Sequence, residues 1–275
     1  MKEKSEGMQS KQQFIDWLMQ QNIALDDWPQ QFKMAQKGIE NAVMTIALLY
    51  KEYGNFQEAQ CWLQSAVQSG NVEAMYELGN VYFELEQLDE AFALYKQAAE
   101  LGSSDAMNNL ADMYFNGEGT EVDEQRALHW FTKAAELGVA EAMFTLGIMH
   151  EQGLGTNMDA QQALSFYEQA AEVNDPEALY RMGMIYLDGE LGQKQDEMRA
   201  IAYFKQAGEQ FHLDALFNLG YLYESKNIER ALQYYKQASM LGDVEATKRL
   251  VEYYASIDDT QQKKWCQKLA QLESE

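Results

Sequence analysis

The chain of 275 residues is 47% hydrophobic and 24% charged, which is typical of a globular protein and argues against a disordered one. Its formal net charge of −23 argues against binding to nucleic acid or to an anionic membrane surface, because both are negatively charged, and favours basic partners or simple solubility. The two cysteines, Cys61 and Cys266, are too few and too far apart for a disulfide framework or a CxxC metal site, so a reducing cytoplasm is the predicted location.

The beginning of the chain predicts a helical cap on a larger array. Residues 1–10 are polar, without the apolar segment of a signal peptide, and we expect them to be disordered. No stretch reaches the roughly 18 apolar residues that predict a membrane-spanning helix. Residues 11–37 place apolar side chains at helical spacing in two short segments, with Pro29 in the first turn of the second. Because they lack the pattern that follows, we interpret them as a degenerate N-terminal cap.

Residues 38–275 carry about seven copies of one pattern, clearest when 106–138 is compared with 142–174. Each copy has an alanine, which we call the marker alanine, near the start of its predicted first helix, and successive marker alanines are 32, 32, 36, 36, 37 and 31 residues apart. Most copies have glycine or alanine five positions later and tyrosine or histidine eight positions later. The small residue would let two helices approach closely, and the aromatic ring would fill the gap. The marker alanines are Ala42, Ala74, Ala106, Ala142, Ala178, Ala215 and Ala246.

The second helix of each copy has signals of its own. A second alanine is followed three positions later by an aromatic residue or leucine, and four positions after that by another alanine. Glycine closes most copies, where a helix C-cap favours the left-handed conformation, and an N-cap residue precedes the next helix. The pattern predicts an all-α array of helix pairs. The predicted N-caps are Asn71, Ser103, Asp175 and Asp243, and the closing glycines are Gly70, Gly102, Gly138 and Gly242.

The third to fifth copies insert about four residues that carry paired glycines, such as Gly117 and Gly119. A phosphate-binding loop is the alternative interpretation, but no predicted strand precedes these glycines and no Lys-Ser/Thr follows them. We therefore predict helix-terminating turns.

The segment AMFTLGIMHEQGLGTNMDAQQALSFYEQAAE, residues 142–172, resembles the Sel-1-like repeat, a relative of the tetratricopeptide repeat. The resemblance covers roughly residues 37–272, although His150 and Ala111 depart from the usual aromatic residue and glycine. It implies an all-α, right-handed superhelical solenoid of antiparallel helix pairs. Members of this family are mostly adaptors and scaffolds that bind proteins in a concave groove lined by the first helices. Some are immunity proteins against bacterial toxins, and a cysteine-rich branch is linked to β-lactam binding or hydrolysis.

The resemblance also places the residues two and six positions after each marker alanine in the groove. The predicted partner-binding residues are Tyr76, Asp112, Phe144, Ile148, Tyr180, Met184, Phe217 and Tyr221. An acidic residue directly precedes six of the seven marker alanines, and the predicted acidic rim is made of Glu73, Asp105, Glu141, Glu177 and Asp214. Such a surface suits a partner with apolar anchors and Lys or Arg, and its charge is wrong for single-stranded nucleic acid. The alternative is that neighbouring helices bury these aromatic residues as ordinary core.

The sequence carries no recognisable catalytic or metal-binding pattern. His129, His150 and His212 lie on different helices or turns without a cysteine or paired carboxylates at ligand spacing. His150 occupies a tyrosine position of the pattern, so we predict that it packs in the core. Cys61 has no histidine nearby in sequence and no Gly-x-Ser-x-Gly motif occurs, so neither nucleophilic catalysis nor a cofactor is predicted.

The predicted function is therefore that of a non-enzymatic, cytoplasmic adaptor or regulator, acting as a monomer, that holds a partner protein or peptide in the groove. An immunity protein that neutralises a basic toxin is the first alternative, because strong negative charge would speed association with such a target. A β-lactam-type hydrolase is a weaker alternative, since the disulfide cysteines of that branch are missing. A self-associating structural protein is a further one.

Overall fold

The computed structural model describes residues 14, 28–255 and 257–274, and over these residues it contains fifteen helices and no strand. The prediction of an all-α fold is confirmed. The predictions for residues 1–10 and for most of the cap, residues 11–27 apart from Phe14, lie outside the described residues. The helices are α1 Trp28–Gln36, α2 Glu40–Glu52, α3 Phe56–Gln68, α4 Val72–Glu84, α5 Leu88–Glu100, α6 Ser104–Asn116, α7 Glu124–Glu136, α8 Ala140–Gln152, α9 Ala160–Glu172, α10 Pro176–Asp188, α11 Glu197–Glu209, α12 Leu213–Tyr223, α13 Ile228–Met240, α14 Val244–Tyr254 and α15 Asp259–Leu272.

The chain divides into two compact units, Met1–Val139 and Ala140–Glu275. In the first unit α2 packs on α3, α4 on α5 and α6 on α7, and in the second unit α8 packs on α9, α10 on α11, α12 on α13 and α14 on α15. Since only short connections join the two helices of a pair, the two run antiparallel. We call these pairs repeats 1 to 7. Within each unit the second helix of one repeat also packs on the first helix of the next.

Periodic alanines are fully or almost fully buried in both units. All seven marker alanines expose at most 1% of their surface, and the second-helix alanines of repeats 1 to 6 expose none. A methyl group at these positions removes apolar surface from water without holding the helices apart, so the periodic alanines of the sequence identify the buried helix faces.

The gap beside the small residue of the first helix is filled differently from the prediction. The pattern predicts that the aromatic residue eight positions after the marker alanine fills it. The structure places there a ring of the second helix, four positions after its alanine: an added Cβ would lie 2.4 Å from Cε1 of Tyr167 at Gly147, and 2.4 Å from Cε1 of Phe204 at Gly183. A glycine leaves space in front of its helix, and a side chain from the facing helix is the one that points into that space.

The aromatic residue eight positions after the marker alanine has another partner. In repeats 5 and 6 it stacks on the ring three positions after the second alanine, with 5.7 Å between the ring centroids of Tyr186 and Tyr203 and 5.8 Å between those of Tyr223 and Tyr234. His150 takes the same place, stacked on Phe166 at 5.4 Å. The prediction that His150 is a packing residue is confirmed.

Side-chain caps begin most of the helices, as predicted. Asn71 accepts a hydrogen bond from the backbone N–H of Ala74, and Asp175 accepts one from that of Ala178, at 2.6 and 2.8 Å. The predicted closing glycines all have positive φ, and Gly117 and Gly189 end α6 and α10 in the left-handed conformation. The glycine-rich insertions are thus helix-terminating turns, which fix where each first helix presents its side chains.

Candidate protein-binding surface

The predicted partner-binding residues of the second unit lie on α8, α10 and α12. We call Phe144, Ile148, Tyr180, Met184, Phe217 and Tyr221 the apolar strip. Five of them are half-buried, and Tyr221 exposes 58% of its surface. In contrast, Leu146, Met182 and Leu219 on the same three helices expose none. The strip residues are therefore separate from the fully buried core positions beside them, and each keeps part of its surface available.

The aromatic residues of the strip rest on the rings that fill the glycine gaps. The ring centroids of Phe144 and Tyr167 are 5.6 Å apart, and those of Phe217 and Tyr235 are also 5.6 Å apart. Tyr180 lies 5.7 Å from Phe204 in the same way. One side of each of these three rings is thus packed against a buried ring of the second helix of its repeat, which restricts its rotation.

The first unit holds the remaining predicted groove residues. Tyr76 and Asp112 are half-buried, and the Tyr76 ring lies 6.1 Å from that of Tyr95, the ring that fills the gap at Gly79. The equivalent position one repeat later is Asn108, which is 3% exposed and forms a hydrogen bond to Asp112. The first unit therefore presents a more polar surface than the strip of the second unit.

A polar network that the sequence prediction missed joins repeats 4 and 5. Tyr167 Oη donates a hydrogen bond to Glu151 Oε2 at 2.7 Å, and Arg181 donates to Glu151 Oε1 at 2.5 Å and to Glu190 Oε2 at 2.6 Å. Burial lowers the pKa of Arg181, but these bonds with the two carboxylates outweigh it and raise the pKa above the usual value. The network joins repeat 4 to repeat 5 and holds their first helices in register.

The same arrangement recurs in other repeats. Tyr235 Oη donates to Glu224 Oε1 at 2.6 Å, and Tyr95 Oη donates to Asn80 Oδ1 at 2.7 Å. Burial raises the pKa of Tyr95, Tyr167 and Tyr235, and in the last two the hydrogen bond to a carboxylate raises it further. These hydroxyls are therefore neutral donors at physiological pH. The signal that could have identified them is an aromatic residue four positions after the second alanine, which repeats 2 to 6 all carry.

All five residues of the predicted acidic rim are exposed, and each lies in the first turn of its helix. The helix dipole favours a carboxylate in the first turn of a helix. These residues therefore stabilise their helices whether or not they also bind a partner. In repeat 5, Glu177 Oε2 lies 3.4 Å from Nε2 of His212, whose ring stacks on Tyr180 at 4.5 Å. This part of the rim is therefore linked to the strip through His212.

Within the described part of the chain, no group of His, Cys, Asp and Glu side chains is arranged to hold a metal ion. Cys61 and Cys266 are exposed free thiols. None of the described helices is long and apolar enough to cross a membrane.

Comparisons with known proteins identify the repeats. The sequence profile of the Sel1 repeat matches residues 104–139, 140–175, 176–210 and 213–243, and a tetratricopeptide repeat profile matches residues 44–106. No curated protein matches the chain significantly.

Solved structures of repeat proteins are similar to the chain. A Sel1 repeat protein from Oxalobacter formigenes is 29% identical with a TM-score of 0.73, over 83% of this chain and 99% of that one. A protective antigen of uropathogenic Escherichia coli, described as displaying an SLR fold, is 26% identical with a TM-score of 0.71 over 88% of this chain. The match spans only 56% of the length of that antigen. An immunity protein from Pseudomonas aeruginosa, 23% identical with a TM-score of 0.50 over 72% of this chain and 82% of that one, is similar in fold alone.

Proposed function

This chain belongs to the Sel1 repeat family, whose members generally mediate protein–protein interactions, and we propose that it is a non-enzymatic adaptor or regulator that binds a protein or peptide along the apolar strip. Repeat scaffolds of this kind are typically non-catalytic. The free thiols of Cys61 and Cys266 support a reducing, cytoplasmic location.

The observation that carries the proposal is the partial exposure of the strip. Half-buried rings such as Phe144 and Phe217 are backed by buried rings, so they are already ordered and lose little side-chain entropy when a partner covers them. Aromatic residues that are rigid before binding are the usual anchors of protein interfaces. The alternative interpretation as ordinary core is weakened by the exposure of Tyr221, which is 58% exposed at the end of the strip.

The partner is proposed to carry apolar anchors together with Lys or Arg. The strip offers apolar area, while Glu141, Glu177 and Asp214 at the starts of α8, α10 and α12 are exposed acidic side chains. The net charge of −23 adds long-range attraction for a basic partner and repels nucleic acid.

A pair of strip variants tests this proposal. We expect Tyr180→Ala combined with Phe217→Ala to abolish capture of a partner from native lysate. Tyr221→Lys removes exposed apolar area with almost no cost to the fold, and we expect it to weaken the same capture. Met198→Ala is the matched control, because Met198 is 77% exposed in the same unit but lies outside the strip. If both strip variants capture what the wild type captures, the binding surface lies elsewhere and the proposal is wrong.

A narrower version of the proposal is an immunity protein that neutralises a basic toxin. The net charge of −23 favours it, because association with a basic target would be accelerated electrostatically. Co-expression with the captured partner distinguishes the two roles: an immunity protein restores growth to cells that the partner kills, and the strip variants lose this protection. A captured partner that is harmless on its own supports the adaptor role instead.

A further inference from the structure

The turn between α11 and α12 breaks the pattern of the array. At the equivalent turns, Gly102, Gly138 and Gly242 follow repeats 2, 3 and 6, and Asn174 follows repeat 4. Repeat 5 has Phe211 instead, in the same backbone geometry: its N–H donates to the carbonyl of Gly208 at 3.0 Å, as that of Gly138 donates to Ala135 at 2.9 Å. Phe211 has a φ of 62° and is 74% exposed. A bulky residue in the left-handed region is strained, and the exposed ring gains nothing from burial.

Two other departures from the pattern lie beside Phe211. Repeats 2 to 5 end their second helices with a glutamate, but repeat 6 has Met240 at that position, 78% exposed. Repeats 2 to 4 have alanine directly before this glutamate, but repeat 5 has Gly208. An added Cβ at Gly208 would lie 2.9 Å from Cδ2 of Leu216, so the glycine gives Leu216 its room. Three exceptions to the pattern thus occur together in the second unit.

The three exceptions line one cavity of about 470 Å³ between α11, α12 and α13, together with Leu216, Leu219 and Leu241. Two charged side chains of α11, Lys205 and Glu209, also line it. The corresponding cavity one repeat earlier, between α9 and α11, is about 630 Å³ and is lined by Glu168, Glu172 and Arg199 but by no leucine. The cavity beside Phe211 thus has the more apolar lining of the two. We call Gly208, Phe211, Leu216, Met240 and Leu241 the Phe211 patch.

An acidic depression adjoins the Phe211 patch. Phe211 also lines a second cavity of about 360 Å³, to which Glu177, His212 and Asp214 contribute. Both carboxylates are exposed, and Glu177 lies 3.4 Å from His212, which carries a positive charge only when it is protonated. A ligand that crosses Phe211 would thus meet an apolar cavity on one side and an acidic one on the other.

We propose that the Phe211 patch is a second docking site, which binds a protein segment carrying a large apolar side chain next to Lys or Arg. The apolar side chain enters the 470 Å³ cavity, and the basic group lies against Glu177 and Asp214. The net charge of −23 disfavours a second copy of this chain as the occupant. The patch shares no residue with the apolar strip, although both sites use Glu177 and Asp214, so variants of the apolar residues are the ones that separate the two sites.

The test uses an array of synthetic dodecapeptides in which one central apolar residue and its flanking charges are varied, followed by fluorescence anisotropy with the best peptide. We expect peptides with an aromatic or large aliphatic residue beside Lys or Arg to bind, and peptides with Glu in place of the basic residue to bind at least tenfold more weakly. Phe211→Gly restores the residue found in other repeats, so we expect it to raise the melting temperature and to weaken peptide binding at least tenfold. Met240→Glu, which restores the pattern in the same way, should weaken binding similarly.

Matched variants show whether a loss of binding is specific to the Phe211 patch. Asn174→Gly makes the change of Phe211→Gly at the equivalent turn one repeat earlier, and Met198→Glu places a charge on a methionine of nearly equal exposure, 77% against 78%. We expect neither to change peptide binding, nor do we expect Phe144→Ala, a variant of the apolar strip on α8, to do so. The proposal is overturned if no peptide binds, if binding is unchanged by Phe211→Gly and Met240→Glu, or if sedimentation shows a dimer that Phe211→Gly dissociates.

Discussion

Gly183 provides a direct test of the contact between the two helices of a repeat. An added Cβ would lie 2.4, 2.5 and 3.0 Å from three carbon atoms of the Phe204 ring, which is fully buried. In an exposed helix, Gly→Ala stabilises by about 1 kcal/mol through helix propensity. Overpacking of a buried ring costs about 1 to 3 kcal/mol. We therefore expect Gly183→Ala to lower the free energy of unfolding by up to about 2 kcal/mol, although the helix propensity of alanine alone would raise it.

A double-mutant cycle isolates this contact. Repeat 1 combines Ala47 with Leu63, which is the pair that the double variant creates at Gly183 and Phe204, although repeat 3 combines Ala111 with Phe131. Phe204→Leu alone opens space in the core and should destabilise by about 1 to 2 kcal/mol. In the double variant the added methyl group enters that space. We therefore expect the double variant to lose less stability than the sum of the losses of the two single variants, by at least about 1 kcal/mol.

Urea unfolding followed by circular dichroism measures the cycle. Ala202→Gly, at an exposed position of α11, supplies the helix-propensity contribution in the same unit. Because arrays of repeats can unfold in stages, all variants are compared at the same transition and with equal slope. If Gly183→Ala stabilises by as much as Ala202→Gly destabilises, the Phe204 ring does not fill the gap at Gly183 and the reasoning is refuted.

Two further predictions concern ionised and hydrogen-bonded groups. Burial raises the pKa of four tyrosines strongly, one of them to about 12. The folded chain therefore keeps protons that the unfolded chain loses above about pH 10, and stability should fall above that pH by at most about 1.4 kcal/mol per pH unit for each of these tyrosines. Urea midpoints between pH 8 and 11 should fall less steeply for Tyr167→Phe, and an unchanged slope would contradict the assignment. Arg181→Met leaves Glu151 without its cation and should lower the free energy of unfolding in urea by about 1 to 3 kcal/mol. Arg199→Met, at a mostly exposed ion pair, should lower it clearly less. Equal losses would show that the network around Arg181 does not stabilise the fold. The four tyrosines are Tyr50, Tyr95, Tyr167 and Tyr235.

The helices were predictable because local and periodic signals agree. The marker alanines, the N-caps such as Asp175 and the closing glycines such as Gly138 each determine backbone geometry within a few residues of themselves. The family resemblance then supplied the pairing of the helices, and the Sel1 repeat profile confirms it for residues 104–139, 140–175, 176–210 and 213–243. The predictions for the N-terminal cap, by contrast, fall mostly outside the described residues.

The contacts between helices were less predictable, since periodicity shows which face is buried but not which ring meets which glycine. Tyr167 and Phe166 are neighbours in sequence, yet one fills the gap at Gly147 and the other stacks on His150. The network around Arg181 also requires groups from two repeats, so no single copy displays it. The Phe211 patch was missed because Phe211 is an exception to the pattern, and its meaning depends on the cavity beside it.

The two kinds of contact have different consequences for how such an array can change its length. The match between Gly183 and Phe204 lies within one helix pair, so a gene duplication that copies the pair copies both halves of the match. The bond from Arg181 reaches back to Glu151 in the preceding pair, so a duplicated or transposed repeat 5 would keep Glu190 but lose one of the two carboxylates that its arginine pairs with. We therefore expect insertion to be tolerated most easily in blocks that contain repeats 4 and 5 together.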